Sequence, residues 1–457
     1  MLKTLDPMPT EEFMKSRTLT YIYRNTLLSL LALGSVSTLT AADISLENVT
    51  KDMTFLADDK LGGRGNFTPG IEKTVDYISK RFAEAGLSPL AGAKDFKQTF
   101  NITSIKTEQL SVSINGNALS ESQLAMVSTM KALVWNNLSD FTLTHIAADG
   151  NFTNIVRGLN QQGGNHLVIV STEHKGLFSR YQSYFNRGLN KLDNTHQGAI
   201  ILALVDEPEI STVSIAATTK QEAKSLTNVV GILVGKTKPK EIVLYSAHHD
   251  HLGTDESAEG DKIYNGADDD ATGTTAVINL AEYFSKKSNN ARTLMFTTFA
   301  AEELGGFGSQ YFSKQLNPEH VVAMINIEMI GKPSKFGAGR VWMTGYERTD
   351  LGELLNNRLV AEKTTILPDP YPKFNLFYRS DNATLAKLGV PAHSFSSTQI
   401  DNDKNYHKPS DELSTIDLNS MHQAIGNLAT ATQGLVDGQD TPTRIDASTV
   451  KDRGKIY

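Results

Sequence analysis

From residue 228 onward, short continuous apolar runs alternate with stretches of helical spacing, and this alternation restricts the possible folds more than any other feature of the chain. Residues 229–234 and 242–247 lack the every-other-residue polar positions of a half-exposed strand, so they predict strands buried on both faces. Residues 294–300 and 321–327 predict two more strands, and 271–284, 306–316, 350–361 and 417–436 predict helices. Doubly buried strands separated by helices predict an α/β fold, with a mixed, mostly parallel sheet sandwiched by helices.

Upstream, residues 46–57 and 70–85 carry helical spacing, and Gly86 closes the second helix. Leu61-Gly62-Gly63-Arg64-Gly65 between them reads as a flexible loop. From about 99 to 227 the pattern changes to short β-rich runs, such as 110–114 and 167–170, separated by Asn/Gly turns, with one helix near 178–184. The expected organisation is a signal peptide over 1–42, an N-terminal part of the catalytic domain over 43–98, an inserted β-rich module over 99–227, the catalytic domain over 228–436 and a polar tail over 437–457.

Lys15, Arg17 and Arg24 precede an apolar run over 27–36, and Thr40-Ala41-Ala42 offers small residues for cleavage. That run of about ten residues is too short to span a bilayer as a helix. The expectation is export to a bacterial periplasm or beyond, with no stable membrane association once the signal is removed. An uncleaved anchor is the alternative, and Met14 is an alternative start. The chain contains no cysteine, which excludes a disulfide framework and a lipoprotein attachment point. A net charge of −7 without any basic patch argues against nucleic acid as a partner.

Polar residues stand where ligands of an open α/β sheet belong, just beyond the carboxyl ends of strands. His248 follows one predicted strand, Glu302 and Glu303 follow another, and Glu328 ends a third. Imidazole nitrogen and carboxylate oxygen together suit zinc, and a set without thiolates points to a catalytic rather than a closed structural site. His248 and Asp250, two apart on an extended segment, share a face, so Asp250 can orient the imidazole; His249 points the other way. A His249/His251 pair is the competing choice. Asp268, Asp269 and Asp270 repel one another unless a cation or a helix N-terminus takes up the charge. Asp270 is expected to cap the helix and Asp268 to bridge two metals. Adjacent glutamates on a turn cannot both face one metal, so one of Glu302 and Glu303 coordinates while the other acts on bound water. His407 lies in a loop, flanked by Tyr406 and Pro409.

Together these motifs resemble the di-zinc exopeptidases of metallopeptidase family 28, which include secreted bacterial leucine aminopeptidases; the resemblance covers 228–435 and the stretch around 52–87. It implies a zinc-exopeptidase fold and two Zn2+ per chain. His248, Asp268 and Glu328 would hold one ion, and Asp268, Glu303 and His407 the other, with Glu302 as general base and Asp250 as its outer partner. It also implies a cis peptide at Asp268–Asp269. Two departures stand out: Glu328 replaces the usual aspartate, and Tyr378-Arg379-Ser380-Asp381-Asn382 carries Asn382 where the family has histidine. The insertion sits where many relatives carry a protease-associated domain, and a protease-associated-like module is one reading of it, although its sequence is not a convincing match.

The expected reaction is removal of N-terminal residues from peptides with a free N-terminus, with Glu302 taking a proton from a water shared by the metals. Phe377, Tyr378, Tyr406, Phe374, Met329, Ile330 and Phe395 are candidates for a side-chain pocket, each competing with a role in the core. Arg379 is expected either to bind a substrate carboxylate, as in a dipeptidase or carboxypeptidase, or to pair with Asp381. A glutaminyl cyclase-like acyltransferase and a non-catalytic binding relative are the rival readings.

Overall fold

The strand Lys238–His248 runs parallel to Arg292–Phe299 on one side and to Val321–Ile327 on the other, and Ala392–Ser396 continues the parallel set. Val213–Leu233 joins antiparallel on the far side of Arg292–Phe299, and Trp342–Met343 joins antiparallel to Ala392–Ser396. The sheet is therefore mixed, with a parallel centre. This is a computed structural model describing residues 44–457 apart from 194, 208, 452 and 453, so the expected signal over 1–42 lies outside the described residues. Successive strand residues feed opposite cores: Val243, Tyr245 and Ala247 pack beneath the helix Gly273–Lys287, while Leu244 packs with Met324 and Phe299. Burial on both faces is why these strands read as unbroken apolar runs. Ala392–Ser396 escaped that reading because serine and histidine fill it. In the fold, the Ser394 hydroxyl donates to Asn382 and accepts from Asn326.

Two helices precede the sheet, Leu46–Leu56 and Pro69–Glu84, the first capped by the Ser45 hydroxyl accepting from the Asn48 N–H. They are joined by a fully buried aspartate: Asp52 accepts from Arg81 at 2.8 and 3.1 Å, from Tyr77 at 2.6 Å and from Asn279 at 2.9 Å. The intervening stretch corrects the expectation of a flexible loop. A Cβ on Gly63 would lie 2.4 Å from the Tyr264 carbonyl oxygen, and one on Gly65 would lie 2.8 Å from Gly253 Cα. These glycines permit close approach of two backbones and so serve rigidity.

The strands Lys97–Ile114 and Val213–Leu233 pair antiparallel from Lys97↔Val229 to Ile114↔Val213. The inserted region thus grows out of the central sheet as a continuous ribbon. It carries a further sheet ordered Leu124–Ser128, Ala199–Leu204, Asn165–Val170 and Thr142–Ile146. Two helices, Phe152–Gln162 and Lys175–Asn186, accompany it where one was expected. The first buries Phe152, Val156 and Leu159 at helical spacing, a signal diluted in the sequence by Asn and Gln between them. The segment 437–457 is not a loose polar tail either. Ile445 and Val450 are buried against the catalytic sheet, and Ile456 enters the module core, where the Asn160 side chain accepts from the Ile456 and Tyr457 N–H groups. Three spaced apolar residues are too few to register as a periodic pattern.

Candidate metal centre

Beyond the carboxyl ends of the parallel strands, His248, Asp269, Glu328, Glu303, His251 and His407 converge around one carboxylate. His248 Nε2 lies 3.1 Å from Asp269 Oδ1 and 3.3 Å from Glu328 Oε1. On the other side, His407 Nε2 lies 3.2 Å from both Asp269 Oδ2 and Glu303 Oε1, and His251 Nδ1 lies 2.9 Å from Glu303 Oε1. Asp269 thus stands between two groups of donors, one with His248 and Glu328, the other with Glu303 and the two further imidazoles.

The residue in the middle corrects the expected bridge. Asp268 turns away: its Oδ1 accepts from the Gly331 N–H at 2.8 Å, and its Oδ2 accepts from the Thr398 hydroxyl and lies 3.4 Å from Lys332 Nζ. The cis peptide is Asp269–Asp270, one residue later than expected. Neighbouring side chains in a non-helical turn point in different directions, and three identical residues in a row leave that register unreadable from sequence. Asp270 caps the helix as expected, accepting from the Gly273 N–H at 3.0 Å, and also accepts from His248 N–H and Met329 N–H.

Two loops are locked around the cluster. Arg64, 1% exposed, donates to the carbonyls of Leu56, His249, Asn265, Gly266 and Asp269, binding the His248–His251 and Asn265–Asp269 segments to the N-terminal helices. Asp411 Oδ2 accepts from the Asp268 and Asp269 N–H groups, tying the loop of His407 to the central carboxylate. Asp250 acts through two atoms. Its carbonyl accepts from His248 Nδ1 at 3.0 Å, while its carboxylate accepts from the Glu302 N–H at 3.0 Å and from Asn66 at 2.7 Å. The imidazole is therefore oriented by backbone, and the carboxylate fixes the Glu302–Glu303 turn. Glu328 Oε2 accepts from Ser380, which itself accepts from Asn326. His249 faces away to the Thr298 hydroxyl at 3.0 Å, and burial together with the charges of His248 and Arg64 pushes it down to about 3. It is a neutral core histidine and leaves the His249/His251 pairing without support.

The donors fit a metal. Asp269 Oδ1, Glu303 Oε1 and both ring nitrogens of His251 are buried with no hydrogen-bond partner, and buried carboxylate oxygens left unpaired are costly unless a cation satisfies them. The donor set is nitrogen and oxygen only, as zinc accepts. Glu302 stands apart at the cleft wall. Burial, reinforced by Glu328, Glu303 and Asp381 against His248, pushes its carboxyl well above the ordinary range. Burial pulls His407 down, but the Asp269 and Glu303 carboxylates beside it outweigh that and hold the imidazole up to about 10.

A cleft of about 1120 Å³ opens over the cluster, walled by Glu302, Glu303, Tyr378, Arg379, Tyr406 and His407 and, from the inserted module, by residues such as Tyr184, Arg187 and Lys191. Beside Glu328 a smaller recess of about 60 Å³ is lined by Met329, Trp342, Ile400, Thr344, Ser394 and Ser396. Of the expected substrate residues, Tyr378, Arg379 and Tyr406 face the cleft and Met329 the recess. Phe377 corrects its assignment: it is 5% exposed, packed in the core with the Arg348 guanidinium 4.4 Å over its ring. Ile330 and Phe395 are core as well. Arg379 donates to the Tyr406 hydroxyl at 3.1 Å instead of pairing with Asp381, whose carboxylate oxygens have no hydrogen-bond partner. Tyr406 in turn stacks on His407 with ring centroids 4.0 Å apart. Asp269 and His251 are the residues that sequence reasoning did not select. The run His248-His249-Asp250-His251, placing a third histidine three residues after the first, was the available signal for His251.

Fold and cluster together define a metal centre at the carboxyl edge of an α/β sheet, the class of site from which metallohydrolases are built. Residues 228–432 match the sequence profile described as peptidase family M28. Among curated relatives, a "Probable zinc metalloprotease" of Pyrenophora teres f. teres (strain 0-1) is 34% identical over 110 residues, 23% of each chain. A "Probable leucine aminopeptidase" of Trichophyton verrucosum (strain HKI 0517) is 26% identical over 202 residues, covering 42% of this chain and 53% of the relative. The chain therefore spans between about a quarter and about half the length of these curated relatives. An aminopeptidase from Aneurinibacillus sp. strain AM-1 superposes with a TM-score of 0.53 at 18% identity, covering 90% of this chain and 97% of the other, which shows the shared fold.

Proposed function

We propose that the protein is a zinc-dependent aminopeptidase that binds two zinc ions and releases N-terminal residues from peptides. The observation carrying this reading is the split of the Glu302–Glu303 pair: Glu303 joins the donors around Asp269 while Glu302 stands free at the cleft wall. His248, Asp269 and Glu328 would hold one ion, and Asp269, Glu303 and His407 the other. Bound zinc supplies Lewis acidity, lowering the pKa of a bound water and polarising the scissile carbonyl. Glu302 takes the proton of the attacking water and returns it to the departing amine, for which a carboxyl that burial raises above its ordinary range is suited. The acidic cluster favours a substrate's protonated α-amino group, which is what makes cleavage terminal. The recess beside Glu328 has room for about five water-sized spheres at ~10–15 Å³ each, and hydroxyls make up half of its named walls, so it accepts a short first side chain. Export is part of the same proposal and rests on the basic and apolar residues of 15–42.

Glu302→Gln is the decisive variant. It should retain zinc, by metal analysis of the purified protein, while turnover of aminoacyl and peptidyl substrates falls by about 10²–10⁴-fold. Loss of zinc, or unchanged turnover, would mean the base is misassigned. Cyclisation of an N-terminal glutamine peptide without hydrolysis would replace the aminopeptidase reading with the acyltransferase. N-terminal sequencing of protein recovered from periplasm or medium tests export.

A further inference from the structure

The donor list above leaves one buried imidazole without a task. His251 is 1% exposed, neither of its ring nitrogens has a hydrogen-bond partner, and its Nδ1 lies 2.9 Å from Glu303 Oε1 and 4.0 Å from Asp269 Oδ1. The two oxygens it faces are themselves unpartnered. Zinc bonds of 2.0–2.2 Å in tetrahedral geometry place neighbouring donors roughly 3.3–3.6 Å apart, and the distances here bracket that range. The site is also built to admit the ring. Gly266 has φ +54, and a Cβ there would lie 2.5 Å from the His251 ring carbons, while the His251 N–H is held by the Arg64 carbonyl at 3.2 Å.

We infer that His251 is a metal ligand, completing a second position formed by Asp269, Glu303, His251 and His407. The inference rests on the metal-centre reading above and goes beyond it, by making the two positions unequal. The His248 position has three protein ligands, Asp269 and Glu328 with the imidazole, and so keeps a place open for water or substrate; the His251 position is closed by protein on four sides. The interior of the site, walled by His251, then anchors one ion tightly. The ion beside Glu328, nearest the small recess, is the exchangeable one.

The test is titration of the metal-free full-length protein with Zn2+ and Co2+, for the native chain and for His251→Ala, His251→Gln and His407→Ala. The native chain should bind two equivalents with unequal affinity. Both His251 variants should bind the tighter equivalent at least tenfold more weakly, with a changed Co2+ absorption spectrum, and His407→Ala should still bind it through His251. His251→Gln, which keeps most of the buried volume, separates packing from ligation: in both His251 variants the rise in Tm on adding zinc should shrink relative to that of the native chain, whatever the melting point of the metal-free protein. Unchanged affinities and spectra in both His251 variants would overturn the inference. So would tighter binding, the result expected if His251 only neutralises Glu303 as an imidazolium. A native chain that binds no metal would instead overturn the function proposed above.

Discussion

Three successive aspartates divide the labour of this site, and their roles separate cleanly at the level of single atoms. Asp268 is consumed by the Gly331 N–H and the Thr398 hydroxyl, Asp270 by three backbone N–H groups, and only Asp269 keeps an oxygen unpartnered. Asp269→Asn should therefore abolish binding of at least one metal equivalent, while Asp268→Asn keeps the native stoichiometry; metal analysis of the two purified variants checks this. His249 gives a second residue-scale prediction. Its folded value of about 3 lies below the ordinary 6.5, so between those values the unfolded chain binds the extra proton and folding stability rises with pH. Stability from this residue is complete above about pH 6.5 and is lost as pH falls toward 3. Replacement by leucine should flatten that part of the Tm-against-pH curve. The types of residue needed for the centre were legible in sequence because each follows an apolar strand. Which of three adjacent aspartates faces the cluster was not, since side-chain direction in an irregular turn depends on partners as distant in sequence as Thr398 and Asp411.

Among the elements, the segment Asp59–Arg64 has the largest gap between its appearance and its role. A glycine-rich stretch between helices reads as mobile, yet its arginine donates to five carbonyls on three segments. Arg64→Met would leave those buried carbonyls without a donor, a loss of about 3–5 kcal/mol by analogy with removing one partner of a buried charged group. Urea unfolding should show this as a lower midpoint, and zinc content should fall with it because the Asn265–Asp269 segment loses its tether. The central strands and their helices were readable because burial on both faces imposes continuous apolarity. The strand Ala392–Ser396 was hidden because its polar groups satisfy one another inside the sheet.

At the scale of the whole molecule, the inserted region is a continuation of the catalytic sheet whose far end returns as one wall of the cleft. On the proposed function, substrate would enter a cleft of about 1120 Å³, so extended oligopeptides should be trimmed while the termini of folded proteins are not. Mass spectrometry of both substrate types after incubation distinguishes the outcomes. The proposed metal ligands come from segments as far apart as His248 and His407, so bound zinc would cross-link the domain. Removing it with a chelator should lower Tm, and the difference should grow with free zinc concentration as RT ln(1 + [L]/Kd), about 2.7 kcal/mol at a hundredfold excess over Kd.

The order of strands and helices, the chemistry of the donors and their placement at strand ends were determined locally, by hydrophobic period and residue type, and so could be read directly along the chain. The choice of Asp269 as the shared carboxylate, the burial of His251 beside it, the rigid role of Arg64 and the anchoring of Ile456 in the module were decided only by tertiary structure. Each depends on which backbone or side-chain partner arrives from elsewhere in the fold to satisfy, or leave open, a buried polar atom.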